Sequence, residues 1–155
     1  MRPYADTNFF TRAYLSLPES ELVARLTERA ERAGAGPLPV HWFHRIELCN
    51  ALQLHVFQGR GLGQKRVTAE QASAALATFR EDLARGRVLQ AMPVATDDLE
   101  RLFEELSLRH TAKHGFRTYD LLHVASALVL GCDTFWSFDP KASRLADLEG
   151  LETLR

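Results

Sequence analysis

Asp6, Glu47, Asp120 and Asp139 are the residues of this chain whose type and placement point to chemistry. Asp6 closes the short run RPYAD and Asp139 closes the apolar run CDTFWSFD. Asp120 falls in the first turn of the helix-patterned TYDLLHVASALVLG, and Glu47 lies early in the helix-patterned HRIELCNALQLHVFQG. In open parallel sheets ligands bind beyond the carboxyl ends of the strands, and these placements are compatible with all four acids converging on one such edge. Carboxylates gathered in one cleft repel each other at low dielectric, so the arrangement is stable only if some protonate or a cation neutralises them. Oxygen donors without Cys or His at zinc spacing select a hard ion, Mg²⁺ or Mn²⁺, which keeps several waters and shares substrate phosphates. That chemistry suits phosphodiester hydrolysis. One or two ions would lower the pKa of a bound water, polarise the phosphoryl oxygen and stabilise the leaving 3′-oxygen, with no covalent nucleophile.

Each acid also has a structural role open to it. Asp6 can cap the helix that starts near Thr7, and Asp139 can cap the one that starts at Pro140. Asp120 complements a helix dipole, and Glu47 fits a solvated helix face. His123 lies one turn from Asp120 and titrates near neutral pH, but it reads as a histidine packed on its helix and bonded within the fold. His41 and His44 read as structural or surface groups. The segment QGRGLGQKR has glycines and cations but not the strand-loop-Gly-Lys-Ser/Thr order of a phosphate-binding loop. It reads as a helix-to-helix connection whose Arg60, Lys65 and Arg66 are candidate phosphate contacts. Arg117, Lys141 and Arg144 stand beside two of the acids and are the better-placed cations to meet a phosphate.

The elements that must hold these groups alternate along the chain. A short strand ends at Asp6, and a helix follows with apolar residues at 9, 10, 13 and 14. Ser20 is the expected N-cap of a second helix that stops at Gly34. Leu38 to Phe43 is an expected strand, followed by a helix closed by Gly59. Thr68 and Gln71 have capping-box spacing for a helix ending at Gly86. RVLQAMPV is a third strand, and Thr96 with Asp97 and Asp98 should start a helix running to Gly115. A helix from Thr118, the strand ending at Asp139, a short helix and a last strand, LETL, complete the order. Strands separated by helices, with no hairpin signal, imply parallel pairing through right-handed crossovers and a three-layer α/β fold.

The chain has 155 residues, 46% of them hydrophobic and 25% charged, the composition of a single globular domain spanning residues 1–155. A formal net charge of −1 argues against coating nucleic acid through bulk charge, so any such contact must be local. Cys49 and Cys132 are far apart and read as reduced, buried thiols. Neither a membrane-spanning run nor a signal peptide is visible, which leads to the expectation of a cytoplasmic protein with no membrane partner.

Four blocks, ADTNFF around Asp6, RIELCNAL around Glu47, RTYDLLHVASAL around Asp120 and CDTFWSFDPKASRL around Asp139, together resemble PIN-domain ribonucleases of the VapC toxin type. The resemblance covers nearly the whole chain. It implies an α/β/α fold around a central, mainly parallel sheet of four to five strands. It also implies Mg²⁺- or Mn²⁺-dependent cleavage of RNA, frequent homodimerisation, and inhibition by a small cognate antitoxin in a type II toxin–antitoxin module. Carried over residue by residue, Asp6, Glu47, Asp120 and Asp139 become the catalytic and metal-binding quartet, with Glu47 acting directly or through water. Asn8 and Ser137 become polar neighbours of the metal. Two other readings are a catalytically silent PIN-like binding module and a small phosphatase with Asp6 as nucleophile. Phosphatases of that kind place two aspartates two apart, and ADTNF supplies one.

Overall fold

The computed structural model describes residues 1–59 and 67–154. In chain order the elements are β1 (Pro3–Ala5), α1 (Thr7–Tyr14), α2 (Ser20–Arg32), β2 (Leu38–Val40), α3 (Trp42–Gln58), α4 (Ala69–Arg85), β3 (Leu89–Ala91) and α5 (Thr96–Leu106). A π-helical turn, Ser107–Thr111, then leads to α6 (Ala112–His114), α7 (Thr118–Val129), β4 (Thr134–Trp136), α8 (Pro140–Leu148) and β5 (Glu152–Thr153). This is the α/β alternation expected, and every strand pairing among the described residues is parallel. Among the described residues the strands hydrogen-bond as a group of three, in the order β1-β4-β5, and a group of two, β2-β3. The chain divides into two compact units, one made of Met1–Asp6 and the chain from Met92 onward, the other of Thr7–Ala91.

In the first unit, β1 and β4 run in register with Tyr4 opposite Phe135 and Ala5 opposite Trp136. Pro3 stands at the first position of its strand, where a missing N–H is best tolerated. Strands of three residues cannot stand alone, and what holds them is a core of Tyr4, Phe135, Leu121, Val124, Leu145 and their neighbours. α7 contributes most to it, with seven of its residues buried, including Ala125, Ser126 and Ala127, whose small side chains permit close approach. α8 starts as the sequence indicates: Pro140 fills the first helical position and the Asp139 side chain accepts the N–H groups of Lys141 and Ala142.

In the second unit, α1 packs on α2, α3 and α4. Phe10 meets Phe79 and His44 edge-on, with ring centroids 5.9 and 5.3 Å apart. The Tyr14 hydroxyl donates to Asp82 at 2.9 Å, and burial followed by the neighbouring carboxylate pushes its phenol well above the ordinary value. The Thr68–Gln71 capping box forms in both directions, at 3.2 and 2.9 Å.

Local competition moves three boundaries. The expected strand Leu38–Phe43 ends at Val40, because the His44 ring accepts the His41 N–H at 3.1 Å and so starts α3 at Trp42. Ser20 is the first residue of α2 and not its cap; its hydroxyl donates to the carbonyls of Arg12 and Leu15 and so ties down the α1–α2 turn. Ala95 occupies the N-cap position expected of Thr96, and the long helix from there to Gly115 is interrupted by the π turn. Both cysteines are free and half-buried, and burial pushes the Cys132 thiol up to about 11. No helix among the described residues is long and apolar enough to cross a membrane.

Gly115 ends α6 at φ +67° and begins the turn into α7. A Cβ there would meet only the Lys141 Nζ, at 3.9 Å, so substitution would be strained by backbone conformation and not by crowding. Gly115→Ala should therefore cost about 1–2 kcal/mol, read as a fall of about 2–8 °C in Tm.

Candidate active site

Asp6 leaves β1 at its carboxyl end, and its N–H continues the ladder by donating to the Trp136 carbonyl at 3.1 Å. Its side chain is only 4% exposed, a placement that is costly for a carboxylate without hydrogen-bond donors. The Ser137 hydroxyl donates to Asp6 Oδ2 at 2.6 Å, and Ser137 Oγ accepts the Asp139 N–H at 2.9 Å. Ser137 thus bridges two of the acids: it binds the side chain of one and the backbone of the other. Asp139 in turn turns its Oδ1 onto the N-terminus of α8, 2.7 Å from the Lys141 N–H.

Asp120 is the third residue of α7 and is 8% exposed. Its Oδ2 accepts the Arg117 N–H at 2.8 Å, reaching back to the residue that precedes the helix. His123, a turn further along, is buried and bonds the Tyr4 hydroxyl through Nδ1 at 3.0 Å. The capping and dipole roles considered for Asp120 and Asp139 are thus real, and they fix each carboxylate at the positive end of a helix.

Glu47 lies on α3 in the second unit, half-buried, and accepts a hydrogen bond from the Thr7 hydroxyl. Asn8 accepts a bond from the Arg12 guanidinium at its side-chain oxygen, and Arg12 also pairs with Glu19 at 2.6 Å. That pairing holds the Glu19 carboxyl below its ordinary value. Arg117 and Arg144 are exposed, and the Lys141 ammonium donates to the Gly115 carbonyl at 2.9 Å. Arg60, Lys65 and Arg66 lie outside the described residues. Sequence reasoning did not single out Tyr4 or Thr7. For Tyr4 the available signal was strand alternation, which puts residues 4 and 6 on one face.

The donor chemistry of Asp6, Asp120 and Asp139 fits a hard divalent cation, since all three offer carboxylate oxygens. Among the described residues no group of three or more His, Cys, Asp or Glu side chains is drawn together as a ready metal cage. The fit is one of donor type, on side chains already oriented by the fold.

Removing the bridging hydroxyl should leave the buried Asp6 carboxylate short of a donor. Ser137→Ala is expected to cost about 1–3 kcal/mol in chemical denaturation, and Ser137→Thr, which keeps the hydroxyl, is expected to recover most of it.

Solved structures similar over nearly the whole chain include the following three. One is the toxin VapC20 of Mycobacterium tuberculosis, described as cleaving the sarcin-ricin loop, at 17% identity, TM-score 0.61, and 92% and 93% coverage of this chain and that one. Another is VapBC2 of Rickettsia felis bound to a promoter DNA fragment, at 17% identity, TM-score 0.65, and 99% and 98% coverage. The third is FitAcB of Neisseria gonorrhoeae, at 16% identity, TM-score 0.57, and 99% and 96% coverage. At these identities the likeness is one of fold. No curated protein sequence matches the chain. Residues 4–148, which include all four acids, match the family model of the PIN domain, and the chain belongs to that family.

Proposed function

We propose that this protein is a Mg²⁺- or Mn²⁺-dependent endoribonuclease, the toxin of a type II toxin–antitoxin pair. The observation that carries the reading is the Asp6–Ser137–Asp139 bridge at the carboxyl ends of two paired parallel strands, where a buried carboxylate is held ready at the place such folds bind ligands. PIN-domain membership and the fold likeness to VapC20, VapBC2 and FitAcB support it.

In this reading Asp6, Asp120 and Asp139 hold the ion, and Glu47 adds a fourth carboxylate, directly or through water. The chemistry such an ion supplies is charge neutralisation at the phosphate and acidification of the attacking water. The chain's own groups do the positioning. Ser137 keeps Asp6 and Asp139 in a fixed relation, and the start of α7 keeps the Asp120 carboxylate turned back toward Arg117. Arg117 and Arg144, exposed near Asp120 and Asp139 in the sequence, meet the RNA backbone, with Lys141, Arg60, Lys65 and Arg66 as further phosphate contacts. The partners are an RNA substrate, a small cognate antitoxin and a second copy of the chain, all in the cytoplasm, and residues 1–155 act as a single PIN domain.

A catalytically silent binding module is the second reading, favoured by the lack of a ready cage among the described residues. The two part on one substitution. Asp6→Asn keeps size and shape, and is expected to lower Mn²⁺-dependent cleavage of structured RNA by at least about a hundredfold, the upper end of what losing even a ligand's hydrogen-bond partner costs. It should also abolish growth arrest on expression while leaving the circular dichroism spectrum unchanged. Cleavage by the variant at the wild-type rate would eliminate the metal mechanism.

A further inference from the structure

We propose that the outward face of α3 is where a second copy of this chain docks, the two α3 helices running antiparallel across a two-fold axis near Asn50. That a second copy is a partner rests on the reading above; the face and the register go beyond it, and neither needs metal or RNA. α3 buries Phe43, His44, Leu48 and Leu52 in its own unit. On the opposite side stand Trp42, Ile46, Leu54 and Phe57, which are 60, 53, 47 and 65% exposed. With Asn50 between them they follow one another at helical i+3 and i+4 steps. A helix that is apolar on both sides belongs inside a packed structure, yet one side of α3 faces solvent. Asn50 and Gln53, which share this face, are exposed and uncharged. The exposed faces of α2 and α4 differ: Glu28 pairs with Arg32 on one and Glu81 with Arg85 on the other.

The order of the side chains selects the occupant. From either end the stripe runs aromatic, aliphatic, Asn50, aliphatic, aromatic. A two-fold interface uses one patch twice and must be self-complementary, residue i meeting j while j meets i. Antiparallel pairing centred on Asn50 sets Ile46 of one copy against Leu54 of the other and Trp42 against Phe57. It also brings together the two Asn50 amides, each with a donor and an acceptor to offer. A partner of other sequence imposes no such symmetry. The four apolar side chains expose roughly 500 Å² per copy, so a symmetric pair removes on the order of 1,000 Å² through them alone, the lower bound of a specific interface. A formal net charge of −1 adds little repulsion between copies.

The test is sedimentation equilibrium of the full chain without added metal or RNA, with circular dichroism to verify folding. The wild type is expected to dimerise at micromolar concentration. Ile46→Lys and Leu54→Glu, both at exposed positions, should each raise the dimer dissociation constant at least about thirtyfold, the size of one interface hot spot. The two substitutions in one chain should recover most of the affinity, because each new charge then faces its opposite across the axis. Unchanged dimerisation in both single variants would overturn the α3 face and leave a second copy among the partners. Loss in the single variants without recovery in the double would overturn the antiparallel register. A wild type that stays monomeric would overturn the face together with the second copy as partner, and would leave the ribonuclease reading to the Asp6→Asn measurement.

Discussion

Burial of the Asp6 carboxylate is the constraint around which this end of the molecule is organised. A charged group 4% exposed at the end of a strand is tolerable only when donors meet it, and Ser137 is one. Ser137 is in place because β1 and β4 are parallel and in register, so that the Asp6 N–H reaches the Trp136 carbonyl. A slip of one residue would send the hydroxyl to the other face of the sheet. Asp139 inherits its place from the same residue through its N–H. One register thus decides the geometry of two acids, and a functional reading of either depends on it.

Asp120 reaches its place by a different route. Its carboxylate caps α7, and α7 is buried along most of its length in the core of its unit. Capping and the proposed metal binding are compatible here. A side chain whose rotamer is already held by a backbone N–H loses little freedom on taking a ligand, and a helix N-terminus offsets part of the charge that a carboxylate brings. The capping bonds of Asp120 and Asp139 are compatible with the ligand-binding role proposed for them.

What was legible in the sequence was local. The Thr68–Gln71 box, the Asp139–Pro140 start of α8 and the acids at strand ends and helix first turns all follow from residues within four positions of each other. Contacts that bridge distant segments were not legible. The Tyr4–His123 bond joins residues 119 apart, and nothing in RPYAD or in DLLHV signals it. Boundaries failed where a side chain outcompeted the backbone pattern, as when His44 took the His41 N–H and turned an apolar, β-favouring run into the first turn of α3. Ser20 had the right type for a cap but used its hydroxyl on the preceding turn. The division of five strands into groups of three and two also has no signature in alternation alone.

The strands that carry Asp6 and Ser137 are only three residues long or just beyond such a strand, too short for backbone pairing to make a rigid edge by itself. Rigidity has to come from the layer packed on them. Tyr4, stacked on Phe135 and bonded to His123, is where sheet and helix meet. Two different physical devices then set the three acids of this unit: side-chain hydrogen bonds across the β1–β4 edge for Asp6 and Asp139, and core packing of a helix for Asp120. The two devices also meet beyond Tyr4, because α8, whose first turn Asp139 caps, packs against α7 in the same core.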